Sequence, residues 1–148
     1  MERKLMSVTS ALQSVLVDLV DLSLQAKQAH WNLQGPGFRS LHLQLDEIVE
    51  ITRVASDDVA ERIAALNVAP DGTAGRVMSD SGIGDIATSW IKVSDAYDIM
   101  ESKLQTASDN IKKLIETVDD QDPLSGDMLI GIATDLEKQA WMLRASSA

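Results

Sequence analysis

The chain has 148 residues, no cysteine and a formal net charge of −10. This length suits a single domain with its own core, the lack of cysteine excludes disulfides and thiol chemistry, and the negative charge disfavours binding to nucleic acid phosphates. No apolar run approaches the roughly 18 residues of a membrane span, and residues 1–6 are followed by no signal-peptide core, so we expect a cytoplasmic protein.

A long apolar stripe runs through the first part of the chain. Its members recur at alternating steps of three and four, as on one face of an α-helix. They are Leu5, Val8, Leu12, Val15, Leu19, Leu22, Ala26, Ala29 and Leu33. Gly35-Pro36-Gly37 then ends this helix, and a second stripe with the same rhythm covers residues 38–66. The short connection predicts that the two helices are antiparallel neighbours.

The second half of the chain predicts a crossover and two more helices. Residues 67–93 are rich in glycine, serine and aspartate but carry scattered apolar side chains, which indicates a long crossover with a short helix. A third long helix follows over about residues 94–118, and a fourth opens at Asp122-Pro123, an N-cap residue before a proline. We therefore expect one domain over residues 1–148: an all-α, ferritin-like four-helix bundle with a short extra helix in the long crossover between the second and third helices.

The two histidines of the chain lie symmetrically about the first turn. His30 and His42 are each six residues from Pro36, the middle of the turn. An antiparallel hairpin brings such positions to the same level, so the two imidazoles are expected to approach each other. Imidazole is a common ligand of transition metals.

The second helix carries carboxylates at helical spacing. His42 and Asp46 are four residues apart, as are Asp57 and Glu61, so each pair stacks on successive turns of one face. Asp46 and Asp57, however, are separated by on the order of 16 Å along the helix axis. Metal–ligand bonds are only about 2 to 2.3 Å long, so one metal cannot bind both pairs of the same straight helix.

An antiparallel second copy of this helix would resolve the separation. His42 and Glu61 are equidistant from a point between residues 51 and 52, and so are Asp46 and Asp57. If two copies cross there on a two-fold axis, His42 of one chain faces Glu61 of the other, and Asp46 faces Asp57. Two identical metal sites would result. Each would contain His30, His42 and Asp46 from one chain and Asp57 and Glu61 from its partner.

The chemistry of this set leaves alternatives open. Mixed imidazole and carboxylate ligands suit Fe(II), and also zinc or manganese. Each pair taken alone is normally a solvated helix face, and a lone histidine on a helix is more often structural than a ligand, so the metal site is indicated by the conjunction of these residues. The sequence lacks the Glu-x-x-His motifs of bundles that hold two irons in their core, which favours a site at an interface.

These residues also carry a resemblance to a known family. The segments that match are Lys27-Gln28-Ala29-His30-Trp31-Asn32-Leu33, Gly35, Phe38, Leu41-His42, Asp46-Glu47, Asp57 and Ala60-Glu61-Arg62-Ile63. Together they resemble the signature of the Dps family (DNA-binding protein from starved cells), the mini-ferritins of the ferritin-like superfamily. The helical organisation extends the resemblance over nearly the whole chain.

The resemblance implies an iron-storing ferroxidase. Members of the family form hollow homododecamers with ferroxidase centres at their two-fold interfaces. They oxidise Fe(II) to Fe(III), with hydrogen peroxide preferred over dioxygen, and store the ferric mineral inside. The family's iron ligands carry over onto His30, His42, Asp46, Asp57 and Glu61, and Trp31 resembles the tryptophan beside the family's centre.

An acidic segment near the fourth helix has two interpretations. Asp122 is expected to cap the helix, and the neighbouring aspartates Asp119 and Asp120 are expected to be solvated. The resemblance instead places acidic residues here at a three-fold pore for iron entry, a place that Asp122 and Asp127 match best. Three copies of an aspartate around one axis would concentrate cations.

DNA binding is the point at which the sequence departs from many family members. Many family proteins bind DNA through a flexible, lysine-rich tail, whereas this chain begins with little more than Arg3 and Lys4, and residues 144–148 have no basic cluster. We therefore expect no tight DNA binding at physiological salt. Two alternatives to a ferroxidase remain: a DNA-protecting nucleoid protein, and a structural shell with little iron turnover.

Overall fold

The apolar stripes form four long helices. In the computed structural model, which describes residues 6–148, these are α1 (Val8–Asn32), α2 (Phe38–Ala65), α4 (Val93–Gln121) and α5 (Pro123–Ser147), with a short α3 (Ala74–Asp80) in the crossover. Leu5, Arg3 and Lys4 lie outside the described residues. The all-α four-helix bundle with an extra crossover helix is thereby confirmed.

The bundle is built from two antiparallel hairpins. α1 packs on α2, α4 packs on α5, and the hairpins meet chiefly where α1 contacts α4. The stripe positions form one core in which Leu12, Leu45, Met100 and Leu136 are inaccessible to solvent. None of the helices in residues 6–148 is long and apolar enough to cross a membrane.

Two very short strands appear where the sequence predicted helix and loop. Leu33–Gln34 forms β1 and Ile91–Lys92 forms β2, and the two pair in parallel with Leu33 opposite Ile91. The expected last position of the first helix, Leu33, therefore lies just beyond α1. This pairing ties the end of the first hairpin to the start of α4, next to the two histidines.

Polar side chains of α1 and α4 hold the crossover against the bundle. The buried Asp18 carboxylate accepts hydrogen bonds from the Gly82 amide (2.7 Å) and Asn110 Nδ2 (3.1 Å). Burial raises the pKa of Asp18, because the ionised carboxylate loses hydration there. On the other side, Lys103 Nζ donates to the carbonyl oxygens of Ile83 and Asp85. The long crossover therefore has a fixed path despite its glycine-rich sequence.

The apolar side chains of the crossover are only partly covered. Val77, Ile83 and Ile91 are buried, whereas Met78 is 87% and Trp90 66% exposed in the single chain. Large exposed apolar side chains of this kind are typical of surfaces that contact another molecule.

Candidate metal centre

The closed end of the first hairpin positions the two histidines. Gly35 (φ 120°) and Gly37 (φ 81°) take positive φ angles on either side of Pro36. Residues that carry a side chain rarely adopt these backbone angles, so the two glycines allow the chain to reverse within five residues between α1 and α2. His30 near the end of α1 and His42 near the start of α2 consequently lie side by side, as the spacing predicted.

Each imidazole is fixed by the backbone of the other histidine. His30 Nδ1 donates to the His42 carbonyl oxygen (2.6 Å), and His42 Nδ1 donates to the His30 carbonyl oxygen (2.9 Å). A carbonyl can only accept, so Nδ1 of both rings must carry a proton, and in the neutral imidazole the Nε2 lone pair is left for another partner. This is the arrangement in which a second hydrogen bond orients a metal-binding histidine.

The Nε2 atom of the buried His30 is still accessible. Within residues 6–148, Gln25 Oε1 is the single buried side-chain nitrogen or oxygen without a hydrogen-bond partner. His30 Nε2 makes no hydrogen bond with these residues either, so it must reach solvent. A metal ion can therefore approach this nitrogen although only 6% of the residue is exposed.

Stacking gives the two rings a common orientation. The His30 and His42 ring centroids are 3.6 Å apart with an angle of 12° between planes, and Phe38 stacks on His42 at 4.8 Å. The aromatic rings and the reciprocal hydrogen bonds together restrict both imidazoles. Ligands held in one orientation lose little conformational entropy when a metal binds.

Asp46 lies beside the histidines but is engaged by a lysine. Its Oδ1 is 3.6 Å from His30 Nδ1 and accepts a hydrogen bond from Lys27 Nζ at 2.5 Å. The hydrogen bond from Lys27 is the main reason that the pKa of Asp46 is below its ordinary value. The carboxylate is thus ionised and half exposed, and a metal ion would have to compete with the ammonium group for it.

Lys27 is the residue of this centre that the sequence analysis did not assign a role. A signal was present, since Lys27 is three residues before His30 and so lies on the same face of α1. The near-symmetry about Pro36 that pairs His30 with His42 also brings Lys27, nine residues before the turn, to within one residue of the level of Asp46, ten residues after it. Extending that rule by one helical turn would have found the ion pair.

Asp57 and Glu61 do not meet the other three residues within one chain. Both are exposed on the second half of α2, which is an uninterrupted helix from Phe38 to Ala65. Within residues 6–148, no group of three or more histidine, aspartate or glutamate side chains is arranged to hold a metal ion. A five-ligand centre therefore requires a second chain, as expected from the helical rise between Asp46 and Asp57.

The face of α2 that carries these residues points away from the core. The buried positions of α2 include Leu41, Leu45, Ile48, Thr52 and Val59, and the ligand stripe lies on another side of the helix. The Thr52 side chain lies within the bundle and donates to the carbonyl oxygen of Ile48 (2.9 Å). A two-fold axis near residues 51 and 52 would thus lie on the side of α2 that faces away from Thr52 and the core.

Only some of the carboxylates in the acidic segment are available to bind a cation. Asp122 stands at the N-cap position of α5, as predicted, but its side chain makes no capping hydrogen bond. It accepts hydrogen bonds instead from Ser125 Oγ (2.5 Å) and Arg62 Nη2 (2.8 Å), which lower the pKa of Asp122. Asp127 is exposed and so remains available to a cation.

Two of the tryptophans are more exposed than packing residues would be. Trp31, next to His30, is 63% exposed, and Trp141 on α5 is 54% exposed. Neither ring is packed in the core of the single chain.

Comparisons with known proteins extend the likeness from the motifs to the whole bundle. The family model of the ferritin-like domain matches residues 9–146. The DNA protection during starvation protein of Mycolicibacterium smegmatis is 35% identical over 144 residues, which cover 97% of this chain and 79% of the relative.

Solved structures give the same result. Dps92 from Deinococcus radiodurans is 30% identical and matches with a TM-score of 0.91 over 93% of this chain and 84% of that chain. Dps from Microbacterium arborescens in the high iron form is 27% identical, with a TM-score of 0.87 over 94% and 93% of the two chains.

Proposed function

Because the chain belongs to the Dps family of ferritin-like proteins, we propose that it is a ferroxidase, which oxidises Fe(II) at sites shared between two copies of the chain and stores the ferric product. The observation that carries the proposal is the pair of reciprocal hydrogen bonds between His30 and His42, which leaves both Nε2 atoms free. A purely structural histidine would use its ring nitrogens within the fold.

The proposed centre combines the closed end of one chain's first hairpin with the second half of α2 from a partner chain. His30, His42 and Asp46 of one chain form the first half, and Asp57 and Glu61 of an antiparallel partner form the second. Asp57 and Glu61 are exposed on a face that the chain itself does not cover, and the Asp46 side chain is half exposed, which supports this arrangement. Carboxylates suit a hard Fe(II) ion, and imidazoles add ligands without neutralising its charge.

The oxidation is balanced with peroxide as the oxidant. Two Fe(II) ions each give one electron to hydrogen peroxide, whose O–O bond breaks, and with two water molecules the products are two FeOOH units and four protons. Dioxygen is the alternative oxidant. Iron is the substrate here, and the role of the chain is to hold Fe(II) in a defined ligand set while leaving a coordination position for the oxidant.

Storage requires an assembly and a path for iron. We propose a hollow homododecamer, with Asp127 at a three-fold pore through which Fe(II) enters. Asp122 was predicted for the same pore, and we keep it there as a secondary contributor because Arg62 already neutralises part of its charge. The exposed carboxylate of Asp127 supports the larger role for that residue.

Protection of DNA, which the names of several relatives describe, would be indirect in this protein. Consuming Fe(II) together with hydrogen peroxide removes the two reactants that generate hydroxyl radicals. The net charge of −10 per chain would repel DNA phosphates.

Peroxide-driven Fe(II) oxidation tests the proposal. Iron-free protein is given anaerobic Fe(II) and then hydrogen peroxide, and absorbance follows the ferric product. Wild type is compared with His30→Ala and Asp57→Ala, and with Asp95→Ala as a control on α4. We expect rapid oxidation into a dissolved iron-loaded particle for wild type and the control, and loss of this activity in both ligand variants while assembly persists. Wild-type oxidation no faster than that of protein-free iron would contradict the proposal.

A further inference from the structure

The α2 face contains two more charged residues between the ligand pairs. Glu50 and Arg53 are both exposed, and none of the salt bridges that residues 6–148 form among themselves includes either of them. At about 100° per residue, both side chains fall within the stripe that contains Asp46 and Asp57. They are therefore charged groups on the proposed interface for which the iron chemistry provides no role.

Their spacing fits the same two-fold axis as the ligands. Glu50 and Arg53 are each one and a half residues from the point between residues 51 and 52, so each lies only about 2 Å from the crossing point along the helix axis. The antiparallel register that brings His42 level with the partner's Glu61 also brings Glu50 level with the partner's Arg53. No other register satisfies both relations.

One exposed apolar side chain lies beside these charges. Val54 is 57% exposed, and in this register it lies level with the partner's Val49, which is only 7% exposed because it packs into its own bundle. The centre of the interface would thus contain opposite charges with the exposed Val54 of each chain beside them. This composition complements itself, as a two-fold interface requires.

We infer that Glu50 and Arg53 form two reciprocal ion pairs across the two-fold axis and set the register in which one chain's His42 and Asp46 meet the other chain's Glu61 and Asp57. The occupant of this α2 face is therefore a second copy of the chain. The inference rests on the proposed function for the location of the axis, but it concerns positioning residues rather than iron ligands.

A one-turn slip shows why a register device is needed. Moving one helix by four residues, about 6 Å, would separate the ligand halves by more than a metal–ligand bond can span. In one direction this slip would also place Glu50 opposite the partner's Asp57, and the like charges would penalise it. In the other direction Arg53 would face Asp46 but Glu50 would face a valine, so only the true register gives both Glu50 and Arg53 an opposite charge.

Charge reversal and exchange test the inference. Sedimentation of the iron-free protein over a concentration series, at low and moderate salt, measures association of wild type, Glu50→Arg, Arg53→Glu and the double exchange. Each single reversal creates two like-charge pairs per interface, so we expect association to weaken at least about tenfold. The double exchange restores opposite pairs and should recover association to within about threefold of wild type.

A control separates the pairing from net charge. Asp58→Arg changes the charge by the same amount as Glu50→Arg, and Asp58 is exposed on α2 outside the stripe. We expect Asp58→Arg to associate as wild type does. Equal weakening in Asp58→Arg and Glu50→Arg, or a double exchange no better than the single reversals, would overturn the ion pairs.

The outcomes distinguish this inference from the proposed function. Because assembly is measured without iron, rescue by the exchange in a protein that oxidises no Fe(II) would support the ion pairs and contradict the ferroxidase. A wild type that oxidises Fe(II) while both single reversals assemble normally would contradict the ion pairs alone.

Discussion

At the scale of single residues, the direction of each imidazole is decided by a backbone carbonyl. His30 and His42 exchange Nδ1–H···O hydrogen bonds with each other's main chain, and this fixes the tautomer before any metal arrives. Such a site needs no rearrangement of the rings on binding, which favours affinity. The same geometry separates the nitrogen of each ring that serves the fold from the nitrogen that would bind metal in the proposed centre.

His42→Asn tests that separation. The asparagine amide nitrogen can occupy the place of Nδ1 and donate to the His30 carbonyl, whereas nothing replaces Nε2. We expect Fe(II) affinity, measured by anaerobic calorimetry, to fall at least about tenfold, while helical circular dichroism and assembly are retained. Wild-type affinity in this variant would show that Nε2 of His42 is not a ligand.

Lys27 makes a second prediction at this scale. Its ammonium group occupies Asp46 Oδ1 and would repel an incoming cation, so Lys27→Gln should bind Fe(II) about threefold or more tightly. Lys112→Gln is the control, because Lys112 pairs with Glu137 instead. Weaker binding in Lys27→Gln would mean that the lysine orients Asp46 for the metal rather than competing with it.

At the scale of elements, the local periodicity of the sequence predicted the helices but not the pairing of residues that are distant in the chain. Leu12, Leu45 and Leu136 each belong to a stripe of apolar residues that recur in the sequence at steps of three and four, and all three are buried. This periodicity was sufficient to predict the four long helices. The β1–β2 pairing joins residues 58 positions apart through two residues each, and no local pattern encodes that. The same limit applies to the candidate metal centre. The helical spacing predicted that His30 and His42 lie close together, but it could not predict that each ring donates to the backbone carbonyl of the other histidine.

The junction of α4 and α5 depends on one glycine. A Cβ on Gly126 would lie 2.7 Å from Asp119 Oδ1 and 2.8 Å from Asp119 Cα, so backbone would have to move. We expect Gly126→Ala to lower the free energy of unfolding in urea by about 1–3 kcal/mol.

Gly131 on the same helix is the matched control. A Cβ there meets nothing within 4 Å, so Gly131→Ala should raise the free energy of unfolding by about 0.5–1 kcal/mol through helix propensity. Equal effects of the two substitutions would contradict the close approach at Gly126.

At the scale of the whole molecule, the exposed apolar side chains favour a second copy of the chain as a partner, and the net charge disfavours DNA. Met78, Leu124, Trp90 and Trp31 are each more than 60% exposed in the single chain, which favours association with further copies. The net charge of −10 disfavours DNA as a partner. Self-assembly and iron chemistry are consistent with both features.

A gel shift tests the prediction about DNA. Because phosphate binding relies on clustered lysine and arginine, we expect no retardation of duplex DNA by the assembled protein at about 150 mM salt. A version with an added lysine-rich tail should retard DNA and lose this effect as salt rises. Retardation by the unmodified protein at moderate salt would contradict the prediction.

If each iron site is built from two chains, mixing two inactive variants should restore complete sites. His30→Ala and Asp57→Ala are dissociated, mixed in equal amounts, reassembled and assayed for peroxide-driven Fe(II) oxidation. In a mixed pair, the intact histidine half of one chain meets the intact carboxylate half of the other, which makes one of its two sites complete. Half of the pairs are mixed, so we predict recovery of about one quarter of wild-type activity. No recovery in a mixture shown to contain mixed pairs, although wild type is active after the same treatment, would contradict the shared site.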